Sequence, residues 1–239
     1  MNLILLRSDD HWSDDQRVQL TDHRALHIRT VLRADVGDSL RVGLLGGLQG
    51  SGRILSLHDE AVTLEVELGQ QSPSRHRFDI VLALPRPKML RRILRAAAEF
   101  GVSHLHLIHS ARVDKSYWQS PLLKQEKLEA ALWEGLERSR DTIAPEVHRH
   151  RLFRPFVEDQ LPLICKGRPC WIADRGAPLA LTQTPPGPAV VMIGPEGGFV
   201  PFEIGLATAS AARRVHLGER TLSVDTAFSA VLAQGLSAI

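Results

Sequence analysis

From residue 78 onward, short and largely apolar segments alternate with helical patterns. Strands buried on both faces and joined by helices are typical of parallel sheets. The predicted strands are FDIVLAL (78–84), VSHLHLI (102–108), CWIAD (170–174), VVMI (190–193) and RRVHLG (213–218), and the predicted helices span 88–101, roughly 121–140, and 225–238. The sequence therefore predicts an α/β domain with a mainly parallel sheet.

Residues 1 to about 70 follow a different pattern, in which short predicted strands are separated by glycines. The candidates are 3–6, 40–43, 53–57 and 62–68, with one short helix between Thr21 and Asp38 for which Thr21 is the expected N-cap. VTLEVEL (62–68) alternates apolar and polar residues, which indicates a half-buried strand. This pattern predicts a small β-barrel. The polar stretch QQSPSRHR (70–77) reads as a linker, so we expect two domains, at 1–71 and 76–239.

The length, net charge and apolar content of the chain limit the class of protein to which it can belong. The chain has 239 residues, a formal net charge of +2 and no apolar run near the ~20 residues that a membrane span needs. The N-terminal apolar stretch is too short for a signal peptide. We therefore expect a cytoplasmic protein that does not enter a membrane, with Cys165 and Cys170 as reduced thiols.

Basic residues are clustered along the chain. The groups are Arg24, Arg29, Arg33 and Arg41; Arg86, Lys88, Arg91, Arg92 and Arg95; and Arg138, Arg140, Arg149, Arg151 and Arg154. Such patches can neutralise RNA phosphates while the whole protein stays near neutrality, and they can equally be solvated helix faces.

A glycine-rich loop, GPEGG (194–198), directly follows the apolar strand 190–193. Ligands of open α/β sheets bind at the carboxyl ends of strands, and glycines there permit close backbone approach. The alternative is a tight strand–helix turn without a ligand. The loop matches neither the phosphate-binding GxxxxGK[ST] motif nor the GxGxxG dinucleotide motif.

A second loop, LGERTLSVDTA (217–227), lies between the last strand and the closing helix and carries Arg220, Ser223, Asp225 and Thr226. Ser223 or Asp225 could cap that helix. Capping and ligand binding are compatible, because free N–H groups at a helix start bind polar ligand groups.

Two histidine pairs share the same spacing: His104 with His106, and His148 with His150. No carboxylate or cysteine is placed with them by spacing alone. We therefore expect structural or solvent-facing histidines and no metal.

Taken together, these segments resemble the RsmE-like family of ribosomal RNA uridine-N3 methyltransferases, in the SPOUT class. The resemblance covers nearly the whole chain. HIRTVLRADVGD (27–38) and AEFGVSHLHLIHSAR (98–112) contribute to it, and IGPEGGFVPFEI (193–204) and LGERTLSVDTA (217–227) are its specific signatures.

The resemblance implies a PUA-like N-terminal β-barrel, a SPOUT α/β domain with a deep trefoil knot, a homodimer, and S-adenosylmethionine as cofactor. The cofactor contacts it implies are Ile172, Ala173, Asp174, Met192, Ile193, Gly194, Pro195, Glu196, Gly197, Gly198, Leu217, Gly218, Glu219, Thr221, Leu222 and Thr226. The RNA contacts we predict are His27, Arg29, Arg33, Arg86, Arg112, Lys115 and Arg138.

The reaction that the resemblance implies also assigns catalytic roles. Arg220 is expected to stabilise charge on a uracil carbonyl, and Asp225 to orient that arginine or to accept the N3 proton. The substrate is expected to be small-subunit ribosomal RNA or the assembled subunit. Ser223 stands where the family usually has a second arginine. Methylation of another RNA such as transfer RNA, and an inactive RNA-binding homologue, therefore remain as alternatives.

Overall fold

A computed structural model describes residues 2–236, and these residues group into two compact units. The first unit runs to Ser74 and also includes Trp133–Ala144; the second contains Arg75–Leu132 and the chain from Pro145 on. The sequence analysis assigned 76–239 to one contiguous domain. Trp133–Ala144 does not fit that assignment. The segment begins within the helix Gln125–Ser139, whose start belongs to the second unit, and the helical pattern of the sequence does not change where the two units divide.

The first unit contains a six-stranded sheet. Its strands are β1 (Ile4–Leu6), β2 (His11–Asp14), β3 (Arg17–Leu20), β4 (Ser39–Leu44), β5 (Gln49–Leu57) and β6 (Val62–Gln70), in the order β1-β4-β5-β6-β3-β2. Only β1 and β4 pair in parallel; the other neighbours are antiparallel. The predicted strands correspond to β1, β4, β5 and β6. Strands β2 and β3 were not predicted, since each has only four residues.

One helix interrupts these strands. Helix α1 (His23–His27) continues into a π-helical turn (Ile28–Leu32), which ends at Arg33 with a left-handed φ of 51°. Its N-cap is Asp22, whose side chain accepts a hydrogen bond from the Arg24 N–H at 2.9 Å. The predicted N-cap, Thr21, lies one residue before the observed one. Asp22 takes this position because its ionised carboxylate caps the helix and also pairs with the buried Arg24 guanidinium.

The second unit contains a six-stranded sheet in which all neighbours are parallel. Its strands are β7 (Phe78–Ala83), β8 (His104–Ile108), β9 (Glu146–His150), β10 (Cys170–Ala173), β11 (Ala189–Ile193) and β12 (Ala212–Val215), in the order β12-β10-β11-β7-β8-β9. The sequence analysis missed β9, whose alternate residues are charged or histidine. It also extended the last strand past Val215 into a loop.

Helices cover this sheet. They are α2 (Pro87–Glu99), α3 (Gln125–Ser139, whose end belongs to the first unit), α4 (Phe153–Pro155), α5 (Leu161–Cys165), α6 (Pro201–Ser210) and α7 (Val224–Gly235), with 3-10 turns at Lys115–Gln119, Pro121–Leu123 and Leu181–Gln183 and a π turn at Phe156–Gln160. Among the described residues, no helix has both the length and the apolar character to cross a bilayer.

The closing helix α7 packs into the core of its own unit. Phe228, Val231 and Leu232 are fully buried within the single chain. The helix is anchored by His76, whose Nε2 lies 2.9 Å from the Leu232 carbonyl oxygen. The predicted continuation of this helix to residue 238 reaches beyond the described residues.

Candidate functional site

A cavity of about 520 Å³ opens at the carboxyl ends of the parallel strands in the second unit. Loops after β10, β11 and β12 supply most of its lining, with Arg112 from the loop after β8 and three residues from α6 and α7. It is lined by Arg112, Ala173, Asp174, Arg175, Gly176, Ile193, Gly194, Pro195, Glu196, Gly197, Gly198, Phe199, Ile204, Leu217, Gly218, Arg220, Thr221, Leu222, Val224 and Ala227. The volume falls in the range of small-molecule sites, roughly 300–1,000 Å³.

The glycine-rich loop after β11 is a tight turn whose shape depends on glycine. The Gly198 N–H donates to the Pro195 carbonyl at 2.8 Å, and Gly198 has a φ of +71° that other residues rarely adopt. A Cβ on Gly194 would lie 3.0 Å from the Phe199 nitrogen. A Cβ on Gly197 would lie 2.9 Å from the Arg112 side chain. Neighbouring protein atoms thus occupy the space that side chains at Gly194 and Gly197 would need.

Glu203, on the first turn of α6, stabilises the segment that follows this loop through two hydrogen bonds. Its side chain is almost fully buried. One carboxylate oxygen accepts the Val200 N–H at 3.0 Å and the other accepts the Ala111 N–H at 2.7 Å. The bond to Ala111 spans 92 residues, and no local pattern could reveal it.

Polar contacts join the loop after β10 to strand β12 and to the loop that follows it. Arg214 donates to the Asp174 carboxylate at 2.6 Å and to the Gly176 carbonyl at 3.0 Å. Arg175 donates to the Thr221 hydroxyl at 3.0 Å. These bonds fix two walls of the cavity relative to each other.

The two predicted catalytic residues lie in different surroundings. Arg220 is exposed and lines the cavity. Asp225 does not belong to that lining. Its carboxylate accepts a hydrogen bond from the Ser223 hydroxyl at 2.6 Å and lies 3.9 Å from the Arg92 guanidinium. The Ser223 hydrogen bond is the main cause that lowers the pKa of Asp225, so this carboxyl is ionised at neutral pH.

Most of the predicted cofactor contacts line the cavity, but four do not. Ile172 and Met192 are buried inside β10 and β11, and Glu219 is exposed outside the lining. Thr226 lines a separate groove with Arg92 and Asp225. The cavity also contains lining residues that the sequence analysis did not assign to the cofactor: Arg112, Arg175, Gly176, Phe199, Ile204, Val224 and Ala227. Arg175 and Gly176 directly follow the predicted strand 170–174, so the rule that drew attention to GPEGG also applies to them.

The predicted RNA-contacting residues are divided between the units. In the first unit, Arg33 and Arg138 are exposed, while Arg29 is paired with Asp59. Burial lowers the pKa of His27, which favours its neutral form. In the second unit, Arg86, Arg112 and Lys115 are exposed, and Arg112 also donates to the Gly197 carbonyl.

The histidine pairs form one cluster in the structure, and a carboxylate belongs to it. Strands β8 and β9 lie side by side in parallel register, with His104 opposite Glu146 and His106 opposite His148. His104, Glu146 and His148 each bring a potential ligand atom within 4.8 Å of the others. The expectation that no carboxylate accompanies the histidines is therefore wrong: Glu146 precedes His148 by two residues on β9, and the pairing of β8 with β9 places it opposite His104.

Similarity to known proteins shows the family to which this chain belongs. The model of the RNA methyltransferase domain family matches residues 72–235. The chain belongs to this RNA methyltransferase family. It is also 30% identical over 223 residues to the ribosomal RNA small subunit methyltransferase E of Synechocystis, covering 91% of this chain and 72% of that protein. The protein of the same name from Treponema pallidum is 29% identical over 242 residues, covering 98% and 90%. The resemblance to the RsmE-like family is thus confirmed.

Solved structures of this methyltransferase group share the fold. A ribosomal RNA small subunit methyltransferase E from Neisseria gonorrhoeae, solved bound to S-adenosyl methionine, superposes with a TM-score of 0.75 at 20% identity, covering 97% of this chain and 95% of that one. A probable rRNA-methyltransferase from Porphyromonas gingivalis gives a TM-score of 0.74 at 23% identity, covering 98% and 95%.

Proposed function

We propose that this protein transfers a methyl group from S-adenosylmethionine to N3 of a uridine in small-subunit (16S) ribosomal RNA. The observation that carries the proposal is the cavity at the carboxyl ends of β10 and β11, enclosed by the GPEGG loop and the loop that holds Arg220. Membership of the RNA methyltransferase family and the names of the relatives support it.

The residues present suit this cofactor. Gly194 and Gly197 line the cavity without side chains, which leaves their backbone groups open to a ligand, and Ile193, Phe199 and Leu222 offer apolar surface. The carboxylates of Asp174 and Glu196 also lie in the lining, where Asp174 pairs with Arg214 and Glu196 lies 3.8 Å from Arg86. When bound, S-adenosylmethionine supplies an electrophilic methyl group on a sulfonium.

Arg220 is the residue we assign to the reacting base. Uracil N3 carries a proton at neutral pH, and its loss places negative charge on the adjacent carbonyl oxygens. A guanidinium at the cavity stabilises that charge through hydrogen bonds that strengthen as it develops. Arg220 is exposed in the loop after β12 and can therefore reach an incoming base.

For Asp225 we propose a positioning role. Its carboxylate, held by Ser223 and near Arg92, shapes the end of the loop that carries Arg220. A carboxyl with a lowered pKa is a weak base, so accepting the N3 proton suits it poorly.

The remaining features of the proposal follow the family resemblance. We propose that the first unit is a PUA-like barrel that binds RNA, that the second contains a trefoil knot, and that two copies form a homodimer in the cytoplasm. The exposed cations Arg33, Arg86, Lys115 and Arg138 are the proposed phosphate contacts. Binding through phosphates should weaken steeply as salt increases.

The test is methyl transfer from labelled S-adenosylmethionine to small ribosomal subunits isolated from a strain lacking this protein. Nucleoside mass analysis should find one methylated uridine with the methyl group on N3. Methylation of transfer RNA but not of ribosomal RNA would refute the proposed substrate. Cofactor binding without transfer to any RNA would refute catalysis and support an RNA-binding homologue.

A further inference from the structure

A second constellation of polar side chains lies at the opposite ends of the strands from the cavity described above. His104 and Glu146 are the first residues of β8 and β9, and His148 follows two positions later on the same face as Glu146. They lie in the second unit, beside a separate cavity of about 700 Å³ whose lining includes His104, His106 and His148. The proposed methyl transfer uses none of them.

From this geometry we infer that His104, Glu146 and His148 form a binding site for a divalent transition metal ion of the zinc type. The three ligand atoms are mutually close: His104 Nδ1 lies 3.3 Å from His148 Nε2 and 3.6 Å from Glu146 Oε2. His148 Nε2 lies 3.7 Å from the same carboxylate oxygen.

These separations match one face of a tetrahedron around a metal ion. Zinc binds imidazole nitrogen and carboxylate oxygen at about 2.0–2.2 Å, which places neighbouring ligand atoms about 3.3–3.6 Å apart in tetrahedral geometry. The three observed distances span 3.3 to 3.7 Å. Two imidazoles and one carboxylate also form a donor set that binds zinc with its fourth position open. That position would be taken by water or an anionic ligand.

Neighbouring rings hold the ligands in place. The buried His106 ring stacks on His148 with centroids 4.5 Å apart and planes inclined by 16°. His106 Nδ1 in turn lies 3.2 Å from His150 Nε2. This packing orients the His148 ring before any ion arrives, which lowers the cost of ordering the site.

The surroundings permit a cation to enter. The side chains of His104, His148 and Glu146 are 41%, 37% and 69% exposed, so an ion can reach the site from solvent. The adjacent cavity is lined by four basic residues, Arg75, Arg77, Lys166 and Arg168, together with Asp79, which forms an ion pair with Arg168 at 2.7 Å. Glu146 lies outside that lining and is the most exposed of the three ligands. Such a surface site should bind and exchange its metal rather than hold it permanently.

The experiment is calorimetric titration of the full chain, produced without a histidine tag and freed of metal, with Zn²⁺. We expect one ion per chain and a melting temperature that rises with Zn²⁺ concentration. Co²⁺ should give the visible absorption of tetrahedral coordination. His148→Ala and Glu146→Gln should each weaken binding by at least about tenfold, since even outer-shell substitutions cost about 10–100-fold.

The control is His58→Gln, which changes an exposed histidine of the first unit and should leave the affinity unchanged. Melting in the absence of metal checks that each variant is folded. Absence of saturable binding by the parent chain would overturn the inference. So would binding of equal strength in the parent and in both site variants, because the ion would then lie elsewhere.

Discussion

The buried carboxylate of Glu203 accepts a hydrogen bond from the backbone N–H of Ala111 at 2.7 Å. Its second oxygen accepts the Val200 N–H at 3.0 Å. One side chain therefore joins the loop after β8 to the segment that closes the GPEGG loop. Because Glu203 lies behind the cavity rather than in its lining, its influence on a ligand is indirect, through the position of the loop.

Glu203→Gln should destabilise this region and weaken cofactor binding. In glutamine an NH₂ group replaces one carboxylate oxygen, so either the Ala111 N–H or the Val200 N–H loses its acceptor. The loss of a buried hydrogen bond to a charged group costs about 1.5–3 kcal/mol. Denaturant unfolding and calorimetric titration with S-adenosylmethionine measure the two effects. The matched control is Glu219→Gln, at an exposed position outside the lining. Unchanged stability in Glu203→Gln would contradict the role assigned to this carboxylate.

Gly194→Ala should weaken cofactor binding about tenfold. Its Cβ would lie 3.0 Å from the Phe199 nitrogen and 3.3 Å from the Gly198 carbonyl carbon, so the loop must shift. Overpacking of this kind costs about 1–3 kcal/mol, and 1.4 kcal/mol corresponds to a factor of ten in affinity. Gly69→Ala is the control, since a Cβ there meets nothing within 4 Å. Equal affinities of the two variants for S-adenosylmethionine would remove the loop from the site.

Arg220→Ala should abolish methyl transfer while the affinity for S-adenosylmethionine stays within a few-fold. The assigned role is stabilisation of charge on the uracil, which exists only during reaction, and removal of one such donor costs about 10²–10³ in rate. Arg213→Ala, an exposed arginine on β12, should keep full activity. Methyl transfer by Arg220→Ala at the parent rate would show that another residue stabilises the base.

The sequence predicted those parts of the site that depend on local pattern. GPEGG was identified because glycines at the end of an apolar strand are informative in themselves, and the structure places Gly194 and Gly198 in the lining. Glu203, by contrast, bonds to Ala111, 92 residues away, and Glu146 lies beside His104 of the neighbouring strand. Strand β9 lacked an apolar pattern, so the histidine cluster was unpredictable without knowing that β8 and β9 pair. Long-range register is the information that one sequence does not contain.

Gly235→Ala should destabilise the second unit, although alanine is the better helix former by about 1 kcal/mol. A Cβ on Gly235 would lie 2.3 Å from His76 Cε1 and 2.7 Å from Phe78 Cδ2. The ring cannot yield without breaking its bond to Leu232, so the steric cost exceeds the gain in helix propensity. Gly205→Ala, in α6 with open space around it, should instead be neutral or stabilising. Thermal unfolding should therefore show a lower melting temperature for Gly235→Ala and an unchanged or higher melting temperature for Gly205→Ala.

The stability of the second unit should fall as the pH drops below about 6.5, in part because of His76. The ring accepts the Phe78 N–H at 3.0 Å through Nδ1, so Nε2 carries the hydrogen donated to the Leu232 carbonyl and the folded ring is neutral. Burial lowers the pKa of His76 in the folded state.

The unfolded chain, with an ordinary histidine pKa of about 6.5, therefore binds this proton first, and stability decreases from that pH down to the lowered pKa. Urea unfolding between pH 5 and pH 8 measures the slope, to which one histidine adds at most about 1.4 kcal/mol per pH unit. His76→Gln should flatten the slope, while the exposed His11→Gln should not. An identical slope in both variants would mean that other histidines, such as the buried His106, account for the acid sensitivity.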